Sequence, residues 1–237
     1  MENIKFCGYE WITEERWGAV HPEKFYVWYD KTCVVQNNDN EVVLLSKYSP
    51  KYFEELDEES QMGIGLISCT HQFGYGKFDL EVKLPDLPYS WPAFWMWSWS
   101  DWPPEIDVFE GYSDANGKYN TSLWNRIIKG QRHRLETNVH IRNNGVKLDN
   151  ALRIPNVITN NPITDFNKYS VVWLYDSIKF YINDTLIRVM DDELTLSKFE
   201  NHKMNVIINN SLYNKHILHK IYEGTMTIRN FRYTELN

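Results

Sequence analysis

The 237-residue sequence has only three cysteines, Cys7, Cys33 and Cys69, and no two of them stand in C-x-x-C spacing. An odd, scattered set allows at most one disulfide and argues against a zinc knuckle or a dithiol redox centre. Apolar runs are short. None approaches the roughly 18 residues needed to span a bilayer, so no membrane partner is expected. Basic charge is in deficit, with 25 Lys and Arg against 32 Asp and Glu and a net charge of −7. Nucleic acid is therefore not an expected partner, because that binding is driven by neutralising phosphates. The opening Met-Glu-Asn-Ile-Lys-Phe-Cys lacks a basic stretch followed by an apolar one, so no signal peptide is visible. No Ser/Gly/Pro-rich linker, internal repeat or low-complexity segment divides the chain, and one domain over residues 1–237 is expected.

Helical periodicity is scarce as well, with short candidates only at Pro50–Leu56 and Leu194–Phe199. Period-two alternation takes its place. Phe78, Leu80, Val82 and Leu84 alternate with Lys77, Asp79, Glu81 and Lys83, which predicts a strand with one buried face. Tyr169, Val171 and Trp173 alternate likewise, then turns at Asp176-Ser177 and Asn183-Asp184 lead through Ile178, Phe180 and Ile182 into Leu186–Val189, a meander of hairpins. Further strands are expected at Glu41–Lys47, Gly65–Thr70, Pro92–Trp99, Thr121–Ile127, Glu136–Arg142, Lys203–Asn209 and Thr225–Tyr233. Many short strands in one domain predict an all-β fold, a β-sandwich of the jelly-roll kind.

Aromatic residues are abundant, with 10 Trp and 15 Tyr, several of them crowded between Ser90 and Trp102. Indole and phenol rings offer an apolar face and a polar edge, which suits both a core and the faces of sugar rings. Trp91 and Trp95 share parity on a strand and hence a face, but Trp97 and Trp99 share it too. Next comes Trp102-Pro-Pro-Glu-Ile-Asp-Val-Phe-Glu110, three carboxylates within six residues. On a regular strand Glu105 and Asp107 share one face, and Glu110 falls on the other with Ile106 and Val108. An unpaired carboxylate in that apolar interior is costly, so a β-bulge at Val108–Phe109 is expected, returning Glu110 to the face of Glu105. Two glutamates on one face with an aspartate between them are the parts needed to cleave a glycosidic bond. The competing uses of such acids are a solvated strand face or a calcium site, since clustered carboxylates bind Ca²⁺.

Three segments in order, Phe73-Gly-Tyr-Gly-Lys-Phe-Asp-Leu-Glu-Val-Lys-Leu-Pro85, Trp91-Pro-Ala-Phe-Trp-Met-Trp97 and Glu105-Ile-Asp-Val-Phe-Glu110, resemble the sequential core of glycoside hydrolase family 16. Phe166–Trp173 with Ser177–Asn183, and the closing Met226–Tyr233, resemble that family's back-sheet and terminal strands. The likeness runs from about Gly65 onward. It implies a jelly roll of two curved antiparallel sheets with a concave cleft that admits a long polysaccharide, endo-type cutting and retention of anomeric configuration. The Glu-x-Asp-x-x-Glu spacing resembles the bulged branch with laminarinases, agarases, porphyranases and κ-carrageenases.

By position in that motif Glu105 would be the nucleophile, Glu110 the acid/base and Asp107 their modulator. On a straight strand the two glutamate Cα atoms would stand roughly 13–16 Å apart, whereas retention needs carboxyl groups about 5–5.5 Å apart, so curvature and the bulge must close the gap. The resemblance also implies that Trp91, Trp95 and Trp102 stack on sugar, that His140 is a cleft histidine and that Asn209 sits on the groove floor. The basic run Arg126, Lys129, Arg132, His133 and Arg134 reads as a solvated loop or, with Arg126 in the cleft, as a site for sulfate esters. A β-1,3-glucan is the first expected substrate. The alternatives are an agar-, porphyran- or carrageenan-type galactan, a transglycosylase reaction, and a carbohydrate-binding lectin without turnover. Catalysis would need no cofactor or metal, a structural calcium ion stays open, and a monomer is expected. A polysaccharide substrate would place the protein outside the cell, in the periplasm or at the cell surface.

Overall fold

The turn-separated alternation forms two antiparallel sheets packed face to face in a computed structural model, which describes residues 3–15, 18–20, 26–54, 56–85, 89–100, 102–112, 134–148, 154–157, 161–213 and 223–236. Strands are numbered in chain order. The first sheet runs β1 (Asn3–Phe6), β2 (Tyr9–Ile12), β7 (Leu66–Cys69), β17 (Asn205–Leu212), β9 (Ser90–Trp97), β10 (Glu105–Tyr112), β11 (Arg134–Asn143) and β12 (Val146–Leu148), with β13 (Ile154–Val157) also on β11. The second runs β16 (Thr185–Met190), β15 (Ile178–Ile182), β14 (Asn167–Trp173), β8 (Gly76–Lys83), β18 (Glu223–Glu235), β5 (Glu41–Phe53), β6 (Glu58–Ile64) and β3 (Val27–Tyr29), with β4 (Val34–Asn38) on β5. Neighbours pair antiparallel except β3 and β6, which are parallel. The expected all-β sandwich is the observed one.

The core between the sheets comes from the predicted alternation. Phe78, Leu80 and Val82 of β8, Tyr169, Val171 and Trp173 of β14, and Ile178 and Phe180 of β15 are all buried in it. From the first sheet Phe94, Met96, Ile106, Val139, Val206 and Ile208 meet them. Each large side chain so enclosed contributes about 1.5–3 kcal/mol. A second cluster lies on the other side of the first sheet, where Trp97 and Ile207 pack with Val27 and Tyr29 of β3 and Met62 and Ile64 of β6. Trp95, Trp99 and Trp102 are partly buried against it.

Two expectations about helix meet different fates. Glu193–Leu196 forms one short helix, α1, capped by the Asp192 side chain accepting from Thr195 N at 2.8 Å. The helix expected at Pro50–Leu56 is absent, because β5 continues to Phe53 across a register shift between Tyr48 and Lys51 and stays paired with β6. Pairing supplies the backbone bonds that a short helix would have had to make alone. The three cysteines are free, and burial pushes the thiols of Cys33 and Cys69 up to about 12. The strand expected at Thr121–Ile127 lies outside the described residues.

Candidate active site

Strand β10 carries one extra residue, as its spacing required. Against β9, Asp107 pairs with Trp95 but Phe109 pairs with Phe94; against β11, Asp107 pairs with Asn138 but Glu110 with Glu136. The bulge therefore lies at Val108–Phe109, and both of those side chains are in the core between the sheets. Glu105, Asp107 and Glu110 stand on the opposite face. Without the extra residue Glu110 would project among Ile106, Val108 and Val139.

Each glutamate is held by its own indole. Trp102 Nε1 donates to Glu105 Oε2, and Trp91 Nε1 donates to Glu110 Oε1 at 2.9 Å. Strand register brings His140 opposite Glu105 and Asn138 opposite Asp107. His140 Nε2 lies 3.0 Å from Asp107 Oδ2, 3.7 Å from Glu105 Oε1 and 3.1 Å from Asn138 Nδ2. Burial drives the Glu105 carboxyl well above the usual carboxylate range, and the negative charge of Asp107 adds to the rise. His140 and the Trp102 N–H oppose it without cancelling it. Glu105 also shares a side-chain hydrogen bond with Asp107.

Trp95 and Asn209 join the same face, with Trp95 Nε1 donating to Asn209 Oδ1 at 2.8 Å and Asn209 Nδ2 donating to the Trp91 carbonyl at 3.3 Å. Asn209 thereby ties together both aromatic residues of β9 that flank the acids. Trp97 shares their parity but is buried in the second cluster, whereas Trp99 is partly buried against it, as Trp95 is. Trp102 stands 6.3 Å from His140 between ring centroids, and its carbonyl accepts from Arg142 Nη2 at 3.2 Å. Arg126 lies outside the described residues, as do Lys129, Arg132 and His133. Asn138, Glu136 and Arg142 were not singled out from the sequence. All three share the parity of His140 along β11, the one signal that points to them.

Glu105, Asp107 and His140 each bring one ligand atom within 4.8 Å of the others. Calcium takes six to eight oxygens. This set offers one imidazole nitrogen and two carboxylates engaged with each other and with Trp102, so its chemistry suits proton sharing better than a calcium cage.

A family model described as Glycosyl hydrolases family 16 matches residues 21–228. Endo-1,3-1,4-beta-glycanase EglC from Rhizobium meliloti (strain 1021) is 28% identical over 132 residues, covering 54% of this chain and 24% of its own length. The keratan-sulfate endo-1,4-beta-galactosidase of Sphingobacterium multivorum is 27% identical over 119 residues, covering 47% of this chain and 24% of its own. The chain thus spans about a quarter of the length of these curated relatives. The catalytic domain of an endo-1,3-beta-glucanase (laminarinase) from Thermotoga petrophila RKU-1 superposes with a TM-score of 0.69 at 16% identity, over 99% of this chain and 95% of that one. That likeness is one of fold.

Proposed function

This chain belongs to glycosyl hydrolases family 16, and from that premise we propose that it is a retaining endo-β-glycanase whose substrate is a β-1,3-glucan. The observation that carries the proposal is the bulged β10, which gathers Glu105, Asp107 and Glu110 on one face with a separate indole donor on each glutamate. Glu105 attacks the anomeric carbon while Glu110 protonates the departing oxygen; water, deprotonated by Glu110, then releases the sugar from Glu105. The raised Glu105 carboxyl sets a condition on the first step, because only its ionised form attacks. Asp107, 3.0 Å from His140 Nε2, shares a hydrogen bond with Glu105 and holds its carboxyl group in place for the attack. Trp91, Trp95 and Trp102 line the approach as stacking surfaces, and Asn209 positions the first two.

The likeness to a keratan-sulfate endo-1,4-beta-galactosidase and to a galactan endo-beta-1,3-galactanase favours a second substrate, a polymer cut at β-linked galactose such as a galactan. The two are separated by measuring reducing-end release from laminarin, mixed-linkage glucan, agarose, porphyran, carrageenan and keratan sulfate, with Glu105→Gln as the comparison. Laminarin cleavage that vanishes in the variant supports the proposal, and cleavage of galactans alone replaces the substrate. Binding without cleavage of any substrate would make the protein a lectin.

A further inference from the structure

The link from β9 to β10 carries Trp102, whose indole donates to Glu105. Pro103 and Pro104 come next, and because neither has a backbone N–H, neither can tie the link down with a donor of its own. The base of the link is held by other groups. Pro104 O accepts from Ser98 N at 3.3 Å, and Ser98 Oγ lies 2.9 Å from Ser100 Oγ and 3.1 Å from His202 Nδ1. At Trp102 the backbone is held from β11 instead, since its carbonyl accepts from Arg142 Nη2 at 3.2 Å.

Strand geometry brings Arg142 to that carbonyl. It stands two residues beyond His140 on β11 and on the same face, and His140 is opposite Glu105. Antiparallel pairing therefore carries Arg142 past the residues that precede Glu105, where Trp102 lies. Arg142 is exposed, so water competes for its bond and the fold as a whole gains little from it. Its effect is local. It fixes the piece of backbone from which the indole reaches Glu105.

From these contacts we infer that Arg142 is a positioning residue: by holding the Trp102 carbonyl it keeps the Trp102 indole on Glu105. The inference rests on the reading of Glu105 as nucleophile. A carboxylate that turns away from the anomeric carbon loses its line of attack, so a donor that fixes one of its oxygens serves the chemical step more than binding. The indole N–H also favours the ionised carboxyl. The titratable groups that act on Glu105 alongside it are Asp107 of β10 and His140 of β11, and substituting Arg142 changes neither.

The test combines ¹H–¹⁵N spectra of the tryptophan indoles with steady-state kinetics on laminarin in the parent, Arg142→Ala and Arg142→Lys, the Trp102 signal being assigned by its loss in Trp102→Phe. In Arg142→Ala that signal should move towards the position of an indole bonded to water, and kcat should fall about tenfold with KM little changed. The acid limb of kcat/KM should move to higher pH, because Glu105 without its donor takes up a proton more readily. Arg142→Lys keeps a charged donor on a long stem and should restore both signal and rate. A Trp102 signal at the parent's position in Arg142→Ala overturns the inference, and a raised KM with that signal unmoved makes Arg142 a substrate contact instead. Parent-like rates in Glu105→Gln would remove the nucleophile and not the positioning, because the Trp102 signal needs no turnover and still decides whether Arg142 holds the indole.

Discussion

Replacing Glu105, the proposed nucleophile, should make the protein more stable at neutral pH. Glu105 is held well above the usual carboxylate value of 4.5, first by burial and then by the charge of Asp107. Its side chain is 14% exposed, so little solvent screens that effect. Because the folded value lies above the unfolded one, the folded state binds this proton more tightly. Stability from Glu105 is therefore greatest at acid pH and declines as pH rises through 4.5 towards the raised value. Each unit of rise costs about 1.4 kcal/mol at pH values above it. Glu105→Gln removes the charge and keeps a side-chain oxygen for the Trp102 N–H, so it escapes that cost without losing the bond. A gain in stability at pH 7 is expected, read as a higher Tm; in a chain of this size each 1 kcal/mol raises Tm by about 2–4 °C. Calorimetric melting of parent and variant between pH 4 and pH 8 tests it. The gap should open with rising pH and close near pH 4. A variant that melts below the parent at pH 7, or a gap independent of pH, would refute the electrostatic account of the Glu105–Asp107 pair.

Trp91→Phe keeps an aromatic ring but removes the donor to Glu110 Oε1. Charge-assisted bonds of this kind contribute about 1.5–3 kcal/mol, so kcat on laminarin should fall about 10–150-fold. Asn209→Ala releases the Trp95 indole and the Trp91 carbonyl together; KM should rise more than kcat falls, measured by steady-state kinetics on laminari-oligosaccharides. Gly65→Ala places a Cβ 2.5 Å from the Cys33 carbonyl and 3.0 Å from Leu44 Cα, backbone atoms that have little room to yield. It should lower stability by about 1–3 kcal/mol in urea denaturation.

Much of the fold was legible because it is written locally. The alternation at Phe78–Leu84 and Tyr169–Trp173 has the period of a half-buried strand, and those side chains are the core. The bulge was legible for a related reason, since an acid one residue out of phase among buried apolar positions has to be returned to its own face. What sequence spacing does not carry is register between distant strands. Nothing in Glu110 and Glu136 taken separately says that they face one another, and the pairing of Glu105 with His140 across 35 positions depends on the same unread register. The extension of β5 over Pro50–Phe53 was illegible for another reason, because a polar, Pro-containing stretch becomes strand only once β6 supplies its partner. Trp97 shows the limit of parity, as it lies on the face of Trp95 yet is sealed off by β3 and β6.

The central claim is double displacement at Glu105. It is tested most directly by ¹H NMR of the first products released from laminarin, before mutarotation mixes the anomers. The account predicts that the β anomer accumulates first and that Glu105→Gln releases nothing. First appearance of the α anomer, or undiminished release by Glu105→Gln, would contradict it.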